Sequence, residues 1–333
     1  MQTSTPKSSM MIKNQLKIKK FYKKLESKQV IAISGGQDSI YLLNLIEHFQ
    51  DQYQNKKNKE HTSYIYIDHQ WRKDSYKQTI HIINYIRSIK RKIYVYQLPQ
   101  NLLSEKLCRI YRYHLFTKHA IQYSNKFIVT GHNETDKVET FLNNFFRGSG
   151  LQGTTSLVAK SKITQNIYLL RPLLHLKRSY IYWACKKFYL PIWSDNTNYK
   201  YKFERNRTRC ELIPYLKKYF HRNIESSINL LLKNCYRDNE YIRQSTIKLY
   251  LTIKHPRYIA INHKKFRKQN FTLQLKIMQV FCIYNLNFNP KQNEMVKILI
   301  DINTNTIYKY FKIALEDLQM NISQKWIYIT LQI

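Results

Sequence analysis

One sequence feature constrains the fold of this chain most. It is a short apolar run that enters a glycine turn and continues as an amphipathic segment. The stretch is VIAISGGQDSIYLLNLI, residues 30–46. The run from Val30 to Ile33 is typical of a strand that is buried on both faces of a parallel sheet. From Ile40 to Phe49, apolar residues recur at helical spacing. The pattern predicts a strand, a tight turn and a helix whose N-terminal N–H groups converge as in phosphate-binding sites.

Strands and helices alternate through the following part of the chain. The predicted strands are residues 63–68, 92–98, 126–132 and 167–174, and the predicted helices are residues 75–90, 104–122, 134–147 and 177–188. In the helix of residues 75–90, we expect Ile80, Ile83 and Ile86 to face inward. This alternation predicts an α/β fold, a parallel sheet with helices on both faces.

The pattern changes beyond Pro214, where lysine-rich helical segments and a terminal hairpin are predicted. We therefore expect three segments, namely a basic N-terminal segment, an α/β domain and a smaller, mainly helical domain, at residues 1–25, 26–215 and 216–333. The first segment lacks the apolar core of a secretory signal. A frayed basic N-terminus is the interpretation we favour, with a transit peptide as the alternative.

The charge of the chain indicates a polyanionic partner. Lysine and arginine number 56 against 21 acidic residues, a formal net charge of +35. An AT-rich genome explains the abundance of Lys, Asn, Ile and Tyr, but not the shortage of acids, whose codons tolerate A and T equally well. Such an excess repels itself unless a polyanion offsets it, so we expect a nucleic acid as partner. No apolar run approaches the roughly 20 residues of a membrane span, so no membrane partner is expected.

Three polar clusters follow predicted strands. They are Ser34 to Gly36, Asp68 with His69, and Gly131 with His132. Because ligands bind beyond the carboxyl ends of parallel strands, we expect these clusters to converge.

The segment SGGQDS is the first of these clusters. A plain glycine turn needs one glycine and no particular neighbours, whereas this loop also carries two hydroxyls and the carboxylate of Asp38. A carboxylate beside a triphosphate repels it unless a cation lies between them, so Asp38 implies Mg²⁺. The segment resembles the PP-loop of the ATP pyrophosphatase superfamily, which cleaves ATP between the α and β phosphates. The expected ATP-binding residues are Ser34, Gly35, Gly36, Gln37, Asp38, Ser39, Asp68 and His69.

Each of the other motifs has a plain structural interpretation when it is taken alone. DHQWRKDS fits a helix cap with solvated charges, and the acids of TGHNETDKVET complement a helix dipole. The residues from Glu105 to Arg112 fit an ion-pair stripe along one helix.

Taken together and in order, these motifs resemble those of the tRNA(Ile)-lysidine synthase family. The resemblance also includes RPLL and DNTNYKYKFERNRTR, covers residues 30 to about 214 and is weak in the C-terminal third. It implies a Rossmann-like PP-loop catalytic domain and a helical tRNA-contacting domain. It also implies a ligase that uses ATP to attach free lysine to the wobble cytidine of a CAU-anticodon isoleucine tRNA. Decoding then changes from AUG to AUA.

The resemblance also implies roles for individual residues. The expected catalytic residues are Asp38, Arg112, His132, Asp136 and Glu139, with Asp136 or Glu139 holding and deprotonating the lysine. The expected contacts to tRNA or pyrophosphate are Arg72, Arg147, Arg205, Arg207 and Arg209. The chain departs from the family pattern at Lys137, where glutamine is common, and at Cys108, where alanine is usual.

Two other functions remain open at this point. A PP-loop tRNA thiolase would share the adenylation step but would carry paired cysteines, and the five cysteines here are scattered. A non-catalytic tRNA-binding protein on a degenerate PP-loop fold would also explain the charge. The composition and the bacterial type of enzyme favour a plastid-encoded protein of the stroma, with an AT-rich bacterial cytoplasm as the alternative. The oligomeric state is open, and a homodimer is among the alternatives.

Overall fold

The structure is a computed structural model, and it describes residues 28–53, 61–70, 75–99, 104–193, 204–304, 310–312 and 318–331. The expected N-terminal segment and Arg72 lie outside these ranges. The chain divides into two compact units, residues 1–232 and 233–333. The predicted domain boundary between residues 215 and 216 falls earlier in the chain and stays a prediction.

The first unit is built on a six-stranded sheet. Its strands are β1 Gln29–Ile33, β2 Thr62–Asp68, β3 Ile93–Gln97, β4 Phe127–Val129, β5 Lys160–Lys162 and β6 Tyr168–Leu170. The order across the sheet is β3-β2-β1-β4-β6-β5. Every neighbouring pair is parallel except β5 and β6. The predicted parallel sheet is confirmed, and the short antiparallel edge strand β5 was not predicted.

Helices cover both faces of this sheet. They are α1 Gln37–Tyr53, α2 Ser75–Ser88, α3 Glu105–Gln122, α4 Glu134–Phe146, α5 Leu151–Thr154, α6 Arg178–Lys187, α7 Glu204–Arg207, α8 Ile213–Tyr219 and α9 Ile224–Ile253, the last of which continues into the second unit. On one face, α1, α2 and α6 pack on alternate strand residues such as Ile31 and Tyr64. On the other face, Phe116 of α3 belongs to the cluster that contains Val30 and Ile65. The alternation of core faces along β1 follows from the two-residue period of a strand.

The second unit combines helices with a small antiparallel sheet. Its remaining elements are β7 Ala260–Asn262, α10 His263–Arg267, α11 Phe271–Leu286, α12 Gln292–Thr304, β8 Tyr310–Lys312, β9 Leu318–Ile322 and β10 Trp326–Leu331. The predicted terminal hairpin is confirmed as β9 and β10, and the sheet order is β7-β10-β9-β8. The outer strands were not predicted, because three residues are too few for an alternating pattern to be recognised.

The expected inward face of helix α2 was partly wrong. Ile82 and Ile86 are fully buried, whereas Ile80 is 51% exposed. The helix carries more isoleucines than one face can bury, so spacing alone allowed two different faces. Contact with the sheet selects the face that contains Ile82 and Ile86. Among the described residues, each helix is too short or too polar to cross a bilayer.

The buried Ile86 and the exposed Ile80 should differ in how much stability is lost when each is truncated to alanine. Ile86→Ala should lower the free energy of unfolding by about 2–5 kcal/mol, because it removes buried methyl groups and leaves a cavity. Ile80→Ala is the matched control and should change it by less than about 0.5 kcal/mol. Equilibrium urea denaturation measures both. Equal losses in the two variants would contradict the assignment of the buried face.

Candidate active site

The glycine loop between β1 and α1 is held by its own hydroxyls. The Ser39 hydroxyl accepts a hydrogen bond from the Ser34 N–H at 3.1 Å and donates to the Gly36 carbonyl at 2.9 Å. Gly35 has a φ of +79°, and a Cβ there would lie 2.9 Å from Cδ1 of Ile82. Only glycine meets both conditions, the left-handed backbone and the contact with α2.

A second glycine brings the loop after β4 against this turn. A Cβ on Gly131 would lie 3.1 Å from both the carbonyl carbon and oxygen of Asp38. Strand β4 neighbours β1 in the sheet, and β2, which ends at Asp68, is the neighbour of β1 on the other side. The buried Asp68 carboxylate accepts a hydrogen bond from the Gln70 N–H at 2.9 Å. The three predicted clusters therefore meet at one edge of the sheet.

The sequence predicted the Asp38 carboxyl group as a cation ligand, which stays a prediction. Its Oδ1 atom is buried and has no hydrogen-bond partner among the described residues. Burial, and next the charge of Asp136, raise the pKa of Asp38 from 3.8 to about 6, against the opposing effects of Arg178, Asn133 and Arg209. A buried carboxylate oxygen without a donor fits a cation, and Mg²⁺ commonly takes one or two carboxylates together with substrate phosphates. In the described parts of the chain, no group of three or more acidic, histidine or cysteine side chains could hold a metal by itself.

Helix α4 begins in a capping box that fixes Asp136. The Asn133 side-chain oxygen accepts a hydrogen bond from the Asp136 N–H at 3.0 Å, and the Asn133 N–H donates to Oδ2 of Asp136 at 2.9 Å. Such reciprocal bonds satisfy N–H groups that a helix start leaves unpaired. They also turn the other carboxylate oxygen, Oδ1, away from the cap and toward the segment that follows residue 203.

Two arginines from that segment meet both carboxylates of α4. Arg205 donates to Asp136 at 2.8 Å and to Glu139 at 2.8 Å. Arg209, from a turn of π-helix at Thr208–Leu212, donates to Asp136 at 3.1 Å and to Glu139 at 2.6 Å. Glu139 is fully buried, and the two charges of each sign balance. We call these four residues the carboxylate–arginine cluster.

The arginines of the cluster control the protonation of Asp136. Burial alone would raise the pKa of Asp136, but the charges of Arg205 and Arg209 hold that pKa below its usual value. Removal of one partner from such a buried pair typically costs about 3–5 kcal/mol, because the other charge is left uncompensated. The Asp136 carboxylate therefore remains charged while the guanidiniums stay in contact.

The histidines near the strand ends are uncharged at neutral pH. Burial, together with Arg171, Arg205 and Arg109, lowers the pKa of His132 to about 3 despite the charge of Asp136. Its Nδ1 atom lies 2.9 Å from the Thr130 hydroxyl oxygen.

His69 is neutral for a similar reason. Burial and the charge of Arg112 lower its pKa to about 4, against the charge of Asp68. Arg112 and His69 were both predicted from the sequence, and this electrostatic contact joins them.

Two other arginines of the predicted set form exposed ion pairs outside the carboxylate–arginine cluster. Arg207 pairs with Glu211 at 3.3 Å, and Arg147 pairs with Glu204 at 2.7 Å. Both pairs are largely exposed, so they contribute little to stability. Contact of any of these arginines with tRNA or pyrophosphate stays a prediction.

Arg171 was not predicted as a site residue. It is 5% exposed, and it donates to the Val158 carbonyl at 2.8 Å and to the Ser161 hydroxyl at 3.2 Å. Its charge contributes to the low pKa of His132. The available signal was its position directly after strand β6 in the RPLL motif, at the edge of the sheet where the other clusters meet.

Comparisons with known proteins show which family the chain belongs to. The PP-loop domain family matches residues 10–216. The chloroplastic tRNA(Ile)-lysidine synthase of Gracilaria tenuistipitata var. liui is 45% identical over 303 residues, which are 90% of this chain and 92% of that protein. The chloroplastic tRNA(Ile)-lysidine synthase of Pyropia yezoensis is 35% identical over 303 residues, 88% of this chain and 90% of that protein.

A bacterial relative and a solved structure extend the comparison. The tRNA(Ile)-lysidine synthase of a Nostoc species is 32% identical over 264 residues, 75% of this chain and 76% of that protein. The U34-tRNA thiolase NcsA of Methanococcus maripaludis matches with a TM-score of 0.57 and 15% identity over 70% of this chain and 80% of that chain, a likeness of fold alone. The family match and the curated relatives show that the chain belongs to the tRNA(Ile)-lysidine synthase family of PP-loop proteins.

Proposed function

We propose that this protein ligates free lysine to C2 of the wobble cytidine in a CAU-anticodon isoleucine tRNA, with ATP as the activating substrate. The C2 oxygen of the cytidine attacks the α-phosphorus, and pyrophosphate leaves. The ε-amine of lysine then attacks C2, loses a proton, and AMP leaves. The observation that carries this proposal is the pair of buried carboxylates, Asp136 and Glu139, beside a glycine loop of the PP-loop type. The chloroplastic and bacterial relatives support it.

The glycine loop and Asp38 serve the first step. Close approach of the phosphates to residues 34–39 requires the small side chains found there. When bound, Mg²⁺ supplies positive charge that offsets the charge developing on the phosphates. The unpartnered Oδ1 of Asp38 is the atom of this chain that would hold it.

The carboxylate–arginine cluster serves the second step. A lysine ε-ammonium needs a carboxylate partner, and both candidate carboxylates are occupied by Arg205 and Arg209. Lysine must therefore displace a guanidinium. Nucleotide phosphates are alternative partners for the displaced arginines, so we propose that ATP and the tRNA bind before lysine. The neutral imidazole of His132 avoids repulsion of the incoming ammonium.

The cysteines do not favour the thiolase alternative. All five are free, and Cys108, Cys185 and Cys282 are buried. Burial raises the pKa of Cys185 to about 12 and that of Cys282 to about 11, so neither forms a reactive thiolate near neutral pH. The two chloroplastic relatives support a location in a plastid. We propose the stroma as that location, with a bacterial cytoplasm as the alternative.

The reaction is tested with ATP, Mg²⁺ and radiolabelled lysine on a CAU isoleucine tRNA transcript. Label should enter this RNA, resist alkali, and be absent from a CAU methionine tRNA assayed in parallel. An aminoacyl ester would be lost in alkali, so the stability of the label identifies the bond. If pyrophosphate is released but no label enters the RNA, the adenylation step is supported and lysine is rejected as the nucleophile.

Replacement of Asp38 should separate function from stability. Asp38→Asn should abolish ATP-dependent pyrophosphate release, because the amide cannot replace a carboxylate on Mg²⁺. The raised pKa means that wild-type stability falls as pH rises from about 4 to about 6, where the buried carboxyl loses its proton. The Asp38→Asn variant has no ionisable group at this position. Without bound ATP and Mg²⁺, it should therefore be more stable than wild type by about 1–3 kcal/mol at pH 7.5.

Urea denaturation at pH 7.5 and at pH 4 measures this difference. It should be largest at pH 7.5 and nearly absent at pH 4, where both side chains are neutral. A variant less stable than wild type at pH 7.5 would show that the carboxylate of Asp38 has a structural partner.

Glu139→Gln tests the lysine pocket against a matched surface pair. The variant should transfer lysine to pre-adenylated tRNA at least 100-fold more slowly in single turnover, because a neutral amide does not hold an ammonium. Glu211→Gln breaks the exposed pair with Arg207 and should leave the rate within twofold. Circular dichroism and denaturation show whether the first variant remains folded. Full lysine transfer by folded Glu139→Gln would remove Glu139 from the pocket.

A further inference from the structure

Helix α4 ends in two adjacent exposed phenylalanines. Phe145 is 60% exposed and Phe146 is 62% exposed. Phe141 stacks on Phe145 with ring centroids 5.8 Å apart, and the Phe145 and Phe146 centroids are 6.0 Å apart. The helix is held to the protein by other residues, among them the buried Val138 and Leu142. The two rings are therefore not needed for the fold, and their exposure has a cost in water.

The position of these rings relates them to the site. Asp136 and Glu139 lie on the first two turns of the same helix. Phe145 lies six positions after Glu139, which is about 9 Å along the axis at the usual rise of an α-helix. Stacked nucleotides are about 3.4 Å apart along one strand. Measured along the helix axis, Phe145 therefore lies within about three nucleotide spacings of Glu139, the proposed lysine-binding carboxylate.

The charge beside the rings suits a nucleic acid. Arg147 follows Phe146 directly, and its guanidinium is 66% exposed. Its partner Glu204 is 76% exposed, so the pair is weak and a phosphate group can replace the carboxylate. A Cβ atom on Gly148 or Gly150 would have no described atom within 4 Å, which leaves room for an RNA strand. Two copies of this chain would repel each other, because each has 56 basic and 21 acidic residues. This charge disfavours a second copy on the same surface.

We propose that Phe145 and Phe146, together with Arg147, form a stacking surface for the unpaired anticodon-loop bases next to the modified cytidine. Aromatic side chains beside basic groups bind single-stranded RNA in this way, because each base has a face that stacks. This inference rests on the proposed function for the identity of the RNA. In this proposal, Phe145 and Phe146 hold the neighbouring bases while the wobble base enters the site.

The test uses an anticodon stem–loop of the CAU isoleucine tRNA with 2-aminopurine on either side of the wobble cytidine. Stacking quenches this fluorophore, so wild-type protein should quench it on binding, without ATP or lysine. The double variant Phe145→Leu, Phe146→Leu keeps apolar bulk but removes both rings. It should lose the quenching and bind at least tenfold more weakly. The double variant Phe145→Tyr, Phe146→Tyr keeps the rings and should behave as wild type.

Tyr189→Leu is the matched control, since Tyr189 is a 93% exposed aromatic residue after helix α6. It should change neither the quenching nor the affinity. Unchanged quenching and affinity in the double leucine variant would overturn the proposal. So would a loss of self-association in that variant with unchanged RNA affinity, because the surface would then be an interface between copies.

The stacking test and the lysine assay fail independently. Quenching that depends on the two rings, without lysine transfer by the wild type, would retain the surface and reject the proposed reaction. Lysine transfer by the double leucine variant with an unchanged KM for tRNA would retain the reaction and reject the surface.

Discussion

The carboxylate–arginine cluster is the interaction on which the arrangement of the site depends. Arg205 and Arg209 each bridge Asp136 and Glu139, which joins the start of helix α4 to a segment far along the chain. Two buried carboxylates and two partly buried guanidiniums are tolerable here because each guanidinium meets two carboxylates in hydrogen-bonding geometry. A neutral cluster of this kind can release a carboxylate to another cation only if the arginines gain another anion. The reaction supplies such an anion in the nucleotide.

Burial gives the ionisable groups around this cluster different charge states. Among the described residues, Oδ1 of Asp38 has no hydrogen-bond partner, and the pKa of Asp38 rises, whereas Asp136 has two arginine partners, and its pKa falls. The histidines lose their protons because burial, and then nearby arginines, lower their pKa values. The site therefore combines a carboxylate with a raised pKa, two carboxylates paired with arginines, and two neutral imidazoles. This separation follows from the partners each group meets and not from its residue type.

Close packing at the glycines supports the same arrangement. Gly131 lies against the backbone of Asp38, so a side chain at this position would push the loop that carries His132 away from the glycine loop. The start of helix α9 reinforces α4, since Glu225 accepts a hydrogen bond from Thr135 at 3.0 Å and Asn229 donates to Glu134 at 3.0 Å. These contacts explain why the first compact unit includes the beginning of that helix.

The sequence predicted most of the strands and helices of the first unit, because buried parallel strands and amphipathic helices leave periodic patterns. It was less informative where a segment is very short, as at β5, or where several faces were equally apolar, as at Ile80 and Ile82. The identity of the site residues came from motifs and not from periodicity. The motif around residues 203–210 contains three arginines. Helical spacing places Arg205 and Arg209 on one face and Arg207 on the other, but it does not say which face turns inward.

By itself, the sequence determined the phosphate-binding turn, the alternation of strands and helices and the large positive charge, all of which are properties of neighbouring residues or of composition. Only the tertiary structure decided which charges meet. Arg205 and Arg209 pair with Glu139, which lies 66 and 70 positions earlier in the chain. Such partners are chosen by proximity in the folded molecule, where burial excludes water and makes each contact strong. No local pattern records that proximity.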